Sequence, residues 1–147
     1  MDRKLRRIAD YLLARHERHH IDPLDIGADL LPHFFILEVE AQAASAAYLR
    51  IRLVGTALDA AFGRSVRGHY MEEFLHGPRS SEVLEGLRRC YAIRQPLWMR
   101  QVVQIGDKVP RFVEGVAFPV LPNLIYGGLI LGEATADIGL GFESRML

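Results

Sequence analysis

His16-Glu17-Arg18-His19-His20 is a pentapeptide whose side-chain types and spacing could hold a metal. On a helix, histidines four residues apart share one face one turn apart, and a glutamate beside the first can act as general base toward a zinc-bound water. The match is short, and the chemistry also requires a third ligand and a cleft. Ile21-Asp22-Pro23 follows at once, and proline disfavours helix in the residue before it. The preferred reading is a polar, solvated helix end with histidines near the C-terminal dipole, prone to adventitious nickel or zinc rather than catalysis.

The remaining reactive side chains are scattered. Cys90 is the single cysteine of 147 residues. That excludes an internal disulfide and any multi-cysteine zinc or iron–sulfur centre, and it points to a reducing, cytoplasmic setting. On a helix it reads as a small buried hydrophobe. Glu114 and Glu133 are single acids on or beside expected strands; Glu114 could be a polar pocket group, although a place on the sheet surface is the commoner fate. There is no P-loop and no Gly-x-Ser-x-Gly, and Gly127-Gly128 lacks the strand–turn–helix setting of a dinucleotide fingerprint.

Bulk properties narrow the classes further. Eighteen basic and eighteen acidic residues cancel, which disfavours nucleic acid as a partner. No run of apolar residues is long enough for a membrane span, and the opening Met-Asp-Arg-Lys does not read as a signal peptide. Length and composition fit one globular domain.

The elements that must position these residues follow from periodicity. Residues 2 to about 18 form an amphipathic helix, with Leu5, Ile8, Ala9, Leu12 and Leu13 on one face and charges on the other. It is too short to stand alone, so it docks on the domain or on a second subunit; an anionic membrane is the lesser alternative. Asp22-Pro23 starts a helical turn. Strands are expected at His33–Glu40 and Tyr48–Val54, paired as a hairpin. Gly55 ends the second, Thr56 caps a helix to Phe62, and Gly63 suits its C-terminus. A short helix at Tyr70–Leu75 and a longer one from Ser80 or Ser81 to about Arg94 come next, with Val83, Leu84, Leu87, Tyr91 and Ala92 inward. Strands follow at Leu97–Ile105, after which Gly106-Asp107-Lys108 turns the chain, at Arg111–Val120 and at Leu124–Gly132. The tail from Glu133 onward is expected to be only partly ordered.

Two strands, several short helices, one longer helix and three strands is an order that resembles a PAS domain over residues 32 to 134. The resemblance is most specific in Asp22-Pro23, Leu30-Leu31-Pro32-His33, Arg52-Leu53-Val54-Gly55-Thr56, Phe62-Gly63-Arg64 and Gly68. These are similar to a group of small bacterial PAS-like proteins with an N-terminal helix. The resemblance implies an α+β fold: a five-stranded antiparallel sheet with short helices over one face, here residues 23–147, preceded by the amphipathic helix of residues 1–22. It also implies a pocket between sheet and helices, and dimerisation through the N-terminal helix.

Candidate pocket residues are Leu53, Leu58, Phe62, Tyr70, Phe74, Leu87, Tyr91, Trp98, Val102, Val116, Phe118 and Leu129. Each is individually more often plain core than ligand contact; Tyr91 and Trp98 carry polar atoms that need partners when buried. Photoactive flavin PAS domains use a cysteine in an Asn-Cys-Arg-Phe-Leu-Gln motif; Phe74-Leu75-His76 matches it superficially, but Met71-Glu72-Glu73 precede it without a cysteine. For haem, only His69 and His76 lie on the helical side, and both read as solvated turn residues. No cofactor is assigned. The expected role is a cytoplasmic, homodimeric sensory module that binds a small molecule or a protein partner and acts through other proteins. The alternatives are a small cone-shaped isomerase-like enzyme, which would need an acid of raised pKa in an apolar pocket, and a structural adaptor with a filled core.

Overall fold

Asp2 opens the first helix, α1 (Arg3–Leu13), and its side chain accepts hydrogen bonds from the backbone N–H groups of Lys4 and Leu5. The computed structural model describes residues 1–17, 21–41, 47–75, 77–103, 110–133 and 143–147, with the side chains of 77–79 and 133 excepted. Leu5, Ile8 and Leu12 of α1 are fully buried, each contributing roughly 1.5–3 kcal/mol of transfer free energy as an upper bound. The stripe lies on the sheet, where Gly128 makes room for it: a Cβ there would stand 2.6 Å from Ile8 Cδ1.

The helix is shorter than its periodicity suggests. Arg15 N and His16 N both donate to Leu12 O, so the chain tightens into a turn after Leu13. His16 then packs its ring edge on Phe118, with centroids 5.5 Å apart.

The sheet is built from β1 (Phe34–Ala41), β2 (Ala47–Val54), β3 (Leu97–Val103), β4 (Arg111–Val120), β5 (Leu124–Glu133) and β6 (Glu143–Met146). All pairs are antiparallel, in the order β2-β1-β5-β4-β3-β6. The α+β, PAS-like architecture is as expected, but the sheet has a sixth strand. β6 comes from the tail expected to be only partly ordered and pairs with β3, Leu97 opposite Met146 and Arg100 opposite Glu143. Its Glu-Ser-Arg-Met sequence is exposed throughout, so no alternation marks it as a strand. It is attached by backbone pairing and the Arg100–Glu143 ion pair at 2.8 Å.

Between β2 and β3 run α2 (Thr56–Phe62), a single 3-10 turn at Met71–Glu73 and α3 (Gly77–Ile93). The N-cap of α2 is Gly55 rather than Thr56, and Gly63 closes it with φ +78°. The helix expected over Tyr70–Leu75 contracts to that 3-10 turn. α3 starts earlier than expected, which places Ser80 inside it and buried. Of the residues expected inward on α3, Val83, Leu84 and Leu87 are buried, whereas Tyr91 is half-buried and Ala92 exposed; Cys90 takes the inner position instead. The Gly106-Asp107-Lys108 turn lies outside the described residues.

Strand alternation divides the core in two. Leu37, Leu49, Ile51, Ala117 and Ile125 face α2 and α3; Phe34, Ile36, Phe118, Val120 and Tyr126 face α1 and the segment around Ile21, Ile26 and Leu30. The sheet is thus covered by helices on both sides. No described helix is long and apolar enough to cross a membrane.

Candidate ligand cavity

The α2–α3 side of the sheet is not completely filled. A seven-residue helix and a single 3-10 turn present few side chains to a wide sheet, and a cavity of about 60 Å³ remains between them. Phe35 and Leu37 of β1, Val54 of β2, Met99, Gln101 and Val103 of β3, Val113, Gly115 and Val116 of β4, and Leu129 of β5 form its floor. Leu58 and Phe62 of α2, Met71, Leu75, and Val83 and Leu87 of α3 form its roof. A water occupies about 30 Å³ of liquid and a dry cavity of ~150 Å³ admits benzene, so the space takes a few heavy atoms. Met71 and Met99 are its most adaptable walls, because an unbranched thioether changes rotamer readily.

The roof is tied to the sheet by polar bonds. Glu72, in the 3-10 turn beside Met71, accepts from Leu49 N of β2 at 3.0 Å and from Arg88 Nη2 of α3 at 3.2 Å. Arg88 also donates from Nε to Ala47 O at 2.8 Å. Nearby, Arg50 pairs with Glu40, and Tyr70 Oη donates to Glu40 Oε2 at 2.6 Å. The hydrogen bond from Arg50, then that from Tyr70, holds the Glu40 carboxyl below its usual range, and Glu40 in turn pushes the Tyr70 phenol up. These bonds fix the edge strand β2 against the turn that carries Met71.

Five of the twelve candidate pocket residues border the cavity: Leu58, Phe62, Leu87, Leu129 and Val116, the last of which also belongs to the core on the α1 side. Phe74 is buried in the same core, its ring 5.3 Å from that of Phe62. Tyr70 stands at the sheet edge with Glu40 and Arg50, and Tyr91 donates to Pro122 O at 3.4 Å. Leu53, Trp98 and Phe118 belong to the core on the α1 side, and Val102 shares the Trp98 side by alternation. Trp98 Nε1 donates to Glu114 Oε2 at 2.6 Å, so Glu114 belongs to the α1 side and not to the cavity.

Gln101 is the lining residue that the sequence reading passed over and that matters chemically. It is the single polar side chain among the described lining residues and is 2% exposed; its Nε2 donates to Glu82 Oε2 at 2.7 Å. The period-2 pattern of β3 offered the signal: Met99, Gln101 and Val103 share one face, and Trp98 and Val102 the other. Aromatic bulk at Trp98 favoured the wrong face.

The other chemical candidates separate from this site. Cys90 is buried, donates weakly to Ala117 O, and has its thiol pushed up to about 12 by burial. His69 is half-exposed and bonds Glu73 at 3.1 Å. His16 and Glu17 lie in the turn after α1, while Arg18, His19, His20 and His76 lie outside the described residues. Among the described residues no three histidine, cysteine or acidic side chains gather as a metal site.

A family model described as a PAS domain matches residues 4–107, from the start of α1 to beyond β3. No match was found among curated proteins or among solved structures.

Proposed function

Because the chain belongs to the PAS domain family, we propose that it is a sensory module that reads the occupancy of the cavity beneath α2 and α3 and passes that state to other proteins. The carrying observation is the cavity itself, enclosed by the sheet and by the α2–α3 layer and lined almost wholly by apolar side chains. Such sites suit small ligands. Occupancy presses on Met71 and Leu87, hence on the turn and the helix that the Glu72–Arg88 bonds hold to β2. A cytoplasmic setting belongs to the same reading.

The reading includes a homodimer. With α1 docked on β4 and β5, its Leu5–Ile8–Leu12 stripe is occupied, so pairing uses the polar flank of α1 or other surfaces. The enzyme reading finds less support: among the described residues no Asp or Glu lines the cavity. The shifted carboxyls of Asp29, Glu40, Glu73 and Glu143 all move down rather than up.

The test is xenon binding followed on methionine ε-methyl groups by NMR. Resonances of Met71 and Met99 move and that of the exposed Met146 stays. If neither cavity methionine responds, the cavity is not open to ligands and this reading is wrong.

A further inference from the structure

His33 ends the turn Leu31–His33 that leads into β1, and its ring is half-buried between α1 and β5. Lys4, in the first turn of α1, places its Nζ 3.3 Å from His33 Nε2. An ammonium offers only donors, so this bond forms with Nε2 as acceptor and the imidazole neutral. The surroundings favour that state. Burial, and then the Lys4 charge, push the His33 pKa below the ordinary 6.5; Asp2 of α1 and the Leu129 backbone of β5 push it up, but by less. The other acids nearby are engaged elsewhere. Asp59 of α2, the helix packed on this turn, accepts from Val66 N at 3.3 Å, and Asp29 is held by Arg7. The first turn of α1 is itself weakly held. It contains no acidic residue, and Arg3 and Lys4 stand at the positive end of the helix dipole. The Asp2 cap and the bond from Asp2 N to Glu114 Oε1 offset this in part.

We propose that His33 is a pH-sensitive latch on α1: neutral, it holds Lys4 and the first turn of the helix against the sheet; protonated, it releases them. On protonation Nε2 changes from acceptor to donor, and a second positive charge stands beside the Lys4 ammonium. Release of the turn withdraws Leu5 from Gly128, whose would-be Cβ lies 3.3 Å from Leu5 Cδ2, and Asp2 N from Glu114. The sign follows from proton linkage. A histidine of depressed pKa binds fewer protons when the helix is docked than when it is free. Docking is therefore tightest above the ordinary 6.5, weakens as pH falls through the window between the two pKa values, and levels off below it. The latch lies on the α1 side of the sheet and does not rest on the cavity reading.

The experiment follows two NMR readouts between pH 5 and pH 8: the His33 ring titration, and hydrogen exchange of the α1 backbone amides corrected for the intrinsic rate. In the wild type His33 titrates with a midpoint below 6.5, and α1 protection falls on acidification. Reciprocity sets the size of that fall, about tenfold for each unit by which the midpoint lies below 6.5. Lys4→Met, a change at an exposed side chain, moves the midpoint upward. His33→Gln, which keeps a neutral polar group, removes the pH dependence of α1 protection. A wild-type midpoint at or above 6.5 overturns the proposal, and needs no variant to be measured. So does α1 protection that stays level while His33 titrates, or that falls as steeply in His33→Gln as in the wild type. A midpoint unmoved by Lys4→Met shows that the Lys4 bond is not the latch.

Discussion

Trp98 of β3 and Glu114 of β4 are diagonal neighbours, Trp98 standing opposite Val116 and Glu114 opposite Arg100, and the indole Nε1 donates to Glu114 Oε2 at 2.6 Å beneath the start of α1. Glu114 Oε1 also accepts from Asp2 N at 3.2 Å. One carboxylate thus satisfies the buried indole and fastens the N-terminus of the helix that covers this side of the sheet.

Glu114→Ala leaves that indole N–H without its acceptor. The expected loss is about 1–3 kcal/mol, seen as a lower urea midpoint at unchanged m-value. Trp98 is the single tryptophan, so native-state fluorescence reports the site directly and its emission changes. Glu114→Gln, which keeps an acceptor, recovers part of the stability. An alanine variant with wild-type emission and midpoint would refute this arrangement.

The docking of α1 is equally open to measurement. Ile8→Ala removes a fully buried side chain from the contact with β5, and large-to-small changes of this kind cost about 2–5 kcal/mol. Urea titration should show a loss in that range. A loss below ~0.5 kcal/mol, the scale of surface substitutions, would mean that the helix does not rest on the sheet in solution.

Much of this arrangement was legible in sequence because it rests on local rules. The 3.6-residue spacing of Leu5, Ile8, Ala9 and Leu12 identified the buried face of α1, although Leu13, expected on the same face, is exposed, and the bounds of β4 were read correctly from Arg111 to Val120. What failed did so where tertiary contacts decide. β6 carries no apolar pattern and exists because β3 offers an edge. The inward face of β3 is set by the sheet as a whole, and the bulky Trp98 pointed to the side of α1. Gln101 was passed over for the same reason: a polar residue in a strand normally faces water, so its place on one face with Met99 and Val103 gains meaning only once the helices cover that face of the sheet.

Glu40 gives the stability a specific acid limb. Its folded pKa lies below the ordinary 4.5, chiefly through Arg50 and then Tyr70. A depressed carboxyl stabilises the fold fully above the unfolded pKa and progressively less as pH falls through the folded one. Wild type should therefore lose stability relative to Glu40→Gln as pH drops below about 4.5, and the two should differ by a constant amount near pH 7. Melting temperatures measured between pH 3 and pH 7 check this; parallel curves across that range would show that the Glu40–Arg50–Tyr70 bonds do not form.

Cys90 should be chemically silent in the native state. The thiolate is the reactive form, and burial holds this thiol at about 12. A thiol-specific chromogenic disulfide reagent at pH 8 should label it no faster than the protein unfolds and stoichiometrically in denaturant. Complete labelling of the native protein within minutes would mean that α3 does not seal the inner core.

Two glycines should respond very differently to the same substitution, and the contrast separates space from backbone conformation. At Gly55 φ is an ordinary −71°, but a Cβ would lie 2.2 Å from Leu31 O and from Pro32 C and O. These are backbone atoms, which cannot move aside as a side-chain end does. Gly55 is also fixed at its own backbone: its N–H donates to Phe34 O, and its carbonyl accepts from Leu58 N to start α2. Gly55→Ala must therefore separate α2 from the Leu31-Pro32 turn, at a cost of about 3 kcal/mol or more. Gly68 has φ +86° but nothing within 4 Å of its would-be Cβ, so Gly68→Ala incurs only left-handed strain, roughly 1–2 kcal/mol. Thermal or urea unfolding of the two variants ranks them. Equal losses, or a milder Gly55→Ala, would show that the β2–α2 junction does not pass under the Leu31-Pro32 backbone as described.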